Sequence, residues 1–167
     1  MWGKIYGKEA SMRQNNFEYW YSKEKKFDSL DIISFFEKNE NIKLPNKYKE
    51  LVRYRDGGIL KRNIFVYKDN DMINENCIGY FLCWQKDVLE TENIIDEINN
   101  PPEFFPKGLI PFAPDGGGNY ICFDYRNCKE NPSIVFWHHE IEKNEGVFFL
   151  ENSFEEFINN LKESHNF

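Results

Sequence analysis

The 167-residue chain lacks the marks of three common protein classes. No apolar run approaches the ~20 residues that a transmembrane helix needs. Residues 1–8 contain neither an apolar core nor a small-residue cleavage site, so no signal peptide is predicted. The chain has 28 acidic and 21 basic residues, a formal net charge of −7, whereas nucleic-acid-binding proteins are usually basic. The sequence therefore predicts a cytoplasmic protein that binds neither a membrane nor nucleic acid.

Motifs for nucleophilic catalysis are also missing. There is no Gly-x-Ser-x-Gly elbow, and no cysteine stands in a recognisable protease context. The four cysteines, Cys77, Cys83, Cys122 and Cys128, form two pairs with five intervening residues, whereas structural zinc sites favour two to four. Buried, reduced thiols explain them more simply. We therefore predict no catalytic residue, no metal ligand and no cofactor, and hence no enzyme.

Two short motifs resemble a phosphate loop and a metal site. The Asp-Gly-Gly-Gly-Asn run at residues 115–119 precedes a predicted strand rather than a helix, so it indicates a turn and not a phosphate loop. His138 and His139 are adjacent on a predicted strand, and adjacent strand residues point to opposite faces. A small metal-dependent hydrolase that uses His138, His139, Asp115 or Asp124 remains an alternative.

The apolar content, 41% of residues with 17% aromatic, indicates a folded chain. Helical spacing or caps predict four helices: one after Asp28-Ser29, one from Leu44-Pro45 to Asp56-Gly57-Gly58, one over residues 88–99 capped by Asp87, and one after Ser153, where Glu156 completes a capping box. Short apolar segments predict strands at residues 64–67, 78–84, 109–113, 120–125, 133–139 and 146–150.

This element order indicates an α+β class, because helices and strands do not alternate regularly. We expect a single domain with a twisted, largely antiparallel β-sheet flanked by N-terminal helices and a C-terminal helix. Residues 1–27 show no clear period and are predicted to be an N-terminal extension, while residues 28–167 form the domain.

Charge is unevenly distributed along the chain. Residues 1–62 contain 14 basic and 9 acidic residues, which gives +5, whereas residues 63–167 contain 7 and 19, which gives −12. Residues 87–105 contain no lysine or arginine. An exposed, solvated helix face would have this composition, but so would a docking surface for a basic protein. The predicted contact residues are Asp87, Glu90, Glu92, Asp96, Glu97 and Glu103.

Four segments together resemble the SUKH superfamily. They are a Leu-Pro helix start that runs on to a double glycine (residues 42–58), a Phe-Ala, glycine-turn and strand-aspartate pattern (109–124), an aromatic strand that ends in histidine and acid (134–140), and a closing helix start (153–157). The residues of these motifs that we expect to be structural are Pro45, Gly57, Gly58, Gly117, Gly118, Trp137, Ser153 and Glu156.

The resemblance implies an α+β fold with a twisted sheet and no catalytic residue set. It also implies two kinds of role, because many bacterial members are immunity proteins that block toxins, often nucleases, and fungal relatives regulate cell-wall synthesis and signalling. We expect an immunity protein that neutralises a basic toxin through an acidic surface. An intracellular adaptor without catalytic activity is the alternative.

Overall fold

The computed structural model of the chain describes residues 19–20, 30–86 and 92–164, which form helices and two antiparallel sheets. In chain order the elements are α1 (Leu30–Glu40), α2 (Asn46–Tyr54), β1 (Arg62–Asp69), β2 (Met72–Cys77), α3 (Ile94–Asn99), β3 (Leu109–Pro114), β4 (Tyr120–Asp124), β5 (Ser133–Trp137), a 3-10 turn (Lys143–Gly146), β6 (Val147–Glu151), α4 (Phe154–Asn160) and β7 (Lys162–Glu163).

The predicted α+β class is confirmed, but the strands divide into two sheets rather than one. Strands β3-β4-β5-β6 form a four-stranded sheet in sequence order, and β2-β1-β7 form a three-stranded one. Every strand pair is antiparallel, and β1 lies against β6. None of the helices among the described residues has the length and apolar character needed to span a membrane.

The four-stranded sheet is buried on both faces, which explains its continuous apolar sequence. All residues of β3 and β4 are buried, as are four of the five in β5. On one face the rings of Phe112 and Phe123 stack at 4.4 Å and contact Tyr48 of α2 and Phe154 of α4. Full burial of an apolar side chain of this size contributes about 1.5–3 kcal/mol. These contacts fix α2 and α4 on this face.

The other face is covered by the segment that follows α3. Trp137 is fully buried there, and Phe105 packs edge-on against it with ring centroids 4.9 Å apart. Phe105 also contacts Tyr120 at 6.1 Å. The aromatic contacts therefore hold residues 101–106, at the end of the acidic segment, against the sheet, and the neighbouring α3 contacts β3.

The Asp-Gly-Gly motif ties the end of α2 to a distant segment. Asp56 is buried, and its carboxylate accepts hydrogen bonds from the backbone N–H groups of Trp84 (2.9 Å) and Gln85 (3.0 Å). A Cβ at Gly58 would lie 2.6 Å from the Arg55 side chain and 2.7 Å from the Trp20 ring. Glycine is therefore needed at position 58 because two side chains approach the backbone closely.

The prediction of a strand at residues 78–84 is wrong. The N–H groups there do not follow the alternation of a strand: Gly79 and Leu82 bond to carbonyls of β3, at Pro114 and Phe112, whereas Phe81 bonds to that of Gly58. A strand would direct alternate N–H groups to one neighbour. The polar strand β2, which the sequence analysis missed, occupies the hairpin position beside β1 instead.

The remaining motif residues have local structural roles. Pro45 is the N-cap of α2 rather than its first helical residue, and Gly57 adopts a positive φ of 68° in the turn after the helix. Ser153 caps α4 as predicted, because its Oγ accepts a hydrogen bond from the N–H of Glu156. Gly117 donates its N–H to Asp115.

Most of the predicted N-terminal extension lies outside the described residues, but Tyr19 and Trp20 are described. Trp20 is 1% exposed, forms a bridge with Leu60 and packs edge-on against Phe81 at 5.2 Å. This part of the extension therefore belongs to the core.

Candidate partner-binding surface

The acidic segment is built on a helix that begins later than the sequence predicted. Helix α3 starts at Ile94 rather than residue 88, and Asn93 is its N-cap. The Asn93 side chain accepts hydrogen bonds from the N–H groups of Ile95 and Asp96, while its amide donates to the carbonyl of Trp84. The predicted cap, Asp87, lies outside the described residues. The helix starts here because Asn93 also pairs with Cys83 in an extended bridge, which a helical residue cannot do.

Replacing Asn93 with alanine is expected to lower the free energy of unfolding by about 1–2 kcal/mol, since it removes the cap and leaves a buried carbonyl without its donor. Urea denaturation of the full chain measures this. The matched variant Asn99→Ala, at an exposed position of the same helix, is expected to change stability by less than about 0.5 kcal/mol. Equal stability of both variants would contradict an N-cap at Asn93.

Two tyrosines hold two of the acidic side chains. The hydroxyl of Tyr120 donates to the Glu97 carboxylate, and Tyr80 pairs with Glu92. Burial, followed by the hydrogen bond to Glu92, raises the pKa of Tyr80 to about 12. Burial and the hydrogen bond to Glu97 likewise raise the pKa of Tyr120, and the negative charge of Glu92 raises it further. Both hydroxyls are therefore protonated donors at neutral pH, and they bring Glu92 and Glu97 to one place.

The other predicted contact residues are distributed around this pair. Asp96 forms an ion pair with Lys86 (3.0 Å), but both side chains are more than half exposed, so the pair contributes little to stability. Glu103 is exposed in the turn after α3. Asp87 and Glu90 lie outside the described residues. We refer to Glu92, Asp96, Glu97 and Glu103 as the acidic surface.

This arrangement of carboxylates can attract cationic groups. The carboxylates face solvent or tyrosine hydroxyls, and Lys86 is the cation that pairs with them among the described residues. Fixed carboxylates at a protein surface attract cationic groups and speed the approach of a basic partner. The sequence indicated the acidic residues, but it offered no signal for Tyr80 and Tyr120, which reach them only through the fold.

The comparison with known families adds to the geometry. Residues 29–160 match the family model described as the SMI1 / KNR4 family (SUKH-1), which covers more than half of the chain. The chain belongs to this family. The SUKH resemblance seen in the sequence is thereby confirmed, and the SUKH-1 description is the specific branch that matches.

One curated relative of this SUKH-1 chain is the "SPbeta prophage-derived uncharacterized protein YokK" of Bacillus subtilis (strain 168). The two are 48% identical over 58 residues, which is 34% of this chain and 28% of the relative. The chain therefore aligns with less than a third of that protein's length. No solved structure matches the chain significantly.

His138 and His139 of the SUKH-1 chain lie side by side and have hydrogen-bond partners within the fold. Strand β5 ends at Trp137, so the expected opposite orientation of His138 and His139 is wrong: their rings lie parallel, 5.8 Å apart. The His139 ring and backbone N–H both bond to the side-chain oxygen of Asn119. The ring of His138 accepts from the N–H of Glu140. Across residues 19–20, 30–86 and 92–164, no group of three or more His, Cys, Asp or Glu side chains could hold a metal ion.

The two aspartates of the hydrolase alternative have structural partners. The Asp115 carboxylate accepts hydrogen bonds from Gly117, Asn119 and Asn76, which together hold its pKa below the usual value despite partial burial. Asp124 forms a 2.7 Å ion pair with Arg126, which likewise lowers its pKa. Both carboxylates are thus already satisfied within the fold, and they organise turns.

Several of the residues that carried the SUKH resemblance have structural contacts in this SUKH-1 chain. Asp56 and the glycines shape turns, and Trp137 fills the sheet interior. None of the four motifs contains a residue of the acidic surface. The motifs and the acidic surface therefore occupy different segments of the chain.

Proposed function

We propose that this chain is an immunity protein that binds a basic toxin, a nuclease, through the acidic surface and so blocks its cleft in the cytoplasm. The observation that carries the proposal is the set of carboxylates on and around α3, two of them oriented by tyrosine hydroxyls. Membership of the SUKH-1 family supports it. The proposal requires binding and no chemistry from this chain.

A nuclease toxin fits such a surface for a physical reason. A nuclease needs lysine and arginine side chains in its cleft to hold phosphates. Carboxylates spaced over a helix and the following turn can bind the same lysine and arginine side chains in place of the phosphates. The tyrosine hydrogen bonds keep Glu92 and Glu97 in place before binding, which reduces the entropy lost when the complex forms.

The direct test is to isolate the tagged chain from its own cells at low salt and to identify bound proteins by mass spectrometry. We expect one basic protein in equal amount, toxic when expressed alone and harmless when expressed with this chain. Toxicity that persists on co-expression would contradict the proposal. Several sub-stoichiometric signalling or wall-synthesis partners would favour the adaptor alternative instead.

A further inference from the structure

Phe104 has a backbone conformation that its residue type disfavours. Among the described residues, four non-glycine residues have positive φ: Asn41, Asn70 and Asn131, each at 53°, and Phe104 at 66°. Asparagine adopts the left-handed region readily, whereas for a bulky residue this conformation is an outlier. The chain thus uses asparagine at three such positions and phenylalanine at the fourth.

Core packing does not explain this choice. The Phe104 side chain is 52% exposed, although its neighbour Phe105 packs on Trp137 and Tyr120. Glycine or asparagine at position 104 would permit the same turn without the steric cost of the phenylalanine Cβ. Other exposed apolar side chains, such as Phe35 (68%) in a helix and Phe149 (56%) in a strand, have backbone conformations suited to any residue.

The position of Phe104 relates it to the acidic surface. It follows Glu103 directly and precedes Phe105, whose ring contacts Tyr120, the residue that holds Glu97. An exposed aromatic ring beside Glu103 matches the usual layout of an interface, in which an aromatic anchor fills a pocket and the rim around it is polar.

We propose that Phe104 is the apolar anchor of the acidic surface and inserts into an apolar pocket of the basic protein that this surface binds. The inference rests on the proposed function and adds a requirement to it. The partner has an apolar pocket beside its basic residues, and its recognition depends on shape as well as charge. A partner held by charge alone would not need Phe104.

Phe104→Gly separates a binding role from a structural role, because the two predict opposite changes. Glycine adopts the left-handed conformation without strain, so the thermal unfolding midpoint is expected to stay the same or to rise. The dissociation constant for the basic protein that co-purifies with the wild-type chain is expected to rise by at least about tenfold, which means weaker binding. Phe104→Asn, which suits the same turn, is expected to behave alike.

Two control variants accompany this measurement. Phe35→Ala removes an exposed aromatic ring elsewhere, and Asn131→Gly changes another position with positive φ. Both are expected to leave the dissociation constant within about twofold of the wild type, as exposed changes outside an interface do.

The possible results distinguish the inference from the proposed function. A marked fall of the unfolding midpoint in both Phe104 variants would show a structural role and overturn the inference. Unchanged binding by stable Phe104 variants, together with weaker binding after reversal of the acidic surface, would overturn the inference and leave the proposed function intact. If the wild-type chain retains no basic protein, the proposed function falls and the inference falls with it.

Discussion

Replacing Asp56 with alanine is expected to lower the free energy of unfolding by about 3–5 kcal/mol, because hydrogen bonds to a charged group contribute about 1.5–3 kcal/mol each and two backbone donors lose their acceptor. The Asp56 carboxylate accepts hydrogen bonds from the backbone N–H groups of Trp84, which is buried, and Gln85, which is partly buried, and alanine would remove the acceptor of both. Urea denaturation at neutral pH, followed by tryptophan fluorescence, measures the loss.

The control is Asp71→Ala, at an exposed residue in the hairpin turn, which is expected to change stability by about 0.5 kcal/mol or less. Asp56→Asn keeps one acceptor oxygen and should fall between the wild type and Asp56→Ala. A loss below about 1 kcal/mol in Asp56→Ala would mean that the carboxylate does not hold this segment.

A chain of hydrogen bonds connects Asp56 to the helix that carries part of the acidic surface. Asp56 holds the N–H of Trp84, the carbonyl of Trp84 accepts from the amide of Asn93, and Asn93 caps the helix that carries Asp96 and Glu97. Asp56, which follows α2, is thus connected through Trp84 to Asn93, the N-cap of α3. Loss of Asp56 is therefore expected to disturb binding as well as stability.

Local signals predicted the elements whose formation depends on local contacts. Helix α4 was predicted from its cap, Ser153, and from the spacing of Phe154, Phe157 and Ile158, all of which are buried. Strands β3, β4 and β5 were predicted because both faces of the sheet are covered and their sequences are continuously apolar.

The errors have a common physical cause, which is competition from distant hydrogen-bond partners. Residues 78–84 look like a strand, but Asp56 and three separate carbonyl groups take their N–H donors. Strand β2 is polar and forms because β1 folds back on it at a turn where Asn70 has positive φ. Neither arrangement leaves a pattern in the local sequence.

The sequence predicted which residue types form the candidate site, but not the contacts that hold them in place. The absence of lysine and arginine from residues 87–105 indicated a surface rich in carboxylates. The helix start at Asn93 and the support of Glu97 by Tyr120 involve residues 9 and 23 positions apart in the chain, so spacing could not reveal them. Sequence patterns report local periodicity, whereas these contacts depend on how the sheet brings segments together.

Reversal of two charges on the acidic surface is expected to have the largest effect on binding. In the double variant Asp96→Lys and Glu103→Lys, both positions are exposed, so the fold is expected to tolerate the change. The dissociation constant for the co-purifying basic protein should rise by about 100-fold, or about 2.7 kcal/mol, as attraction becomes repulsion at two positions. Glu97 is unsuited to this test because its reversal would also break the hydrogen bond to Tyr120.

The matched control reverses two exposed carboxylates outside this surface, Glu155→Lys and Glu163→Lys. Each reversal adds two positive units, so both doubles raise the formal net charge from −7 to −3 and differ only in position. If position matters, the control binds within about threefold of the wild type, and its association rate keeps the wild-type dependence on salt, while the Asp96/Glu103 double loses much of that dependence. Equal weakening in both doubles would mean that net charge alone attracts the partner, and the acidic surface would then no longer be the binding site.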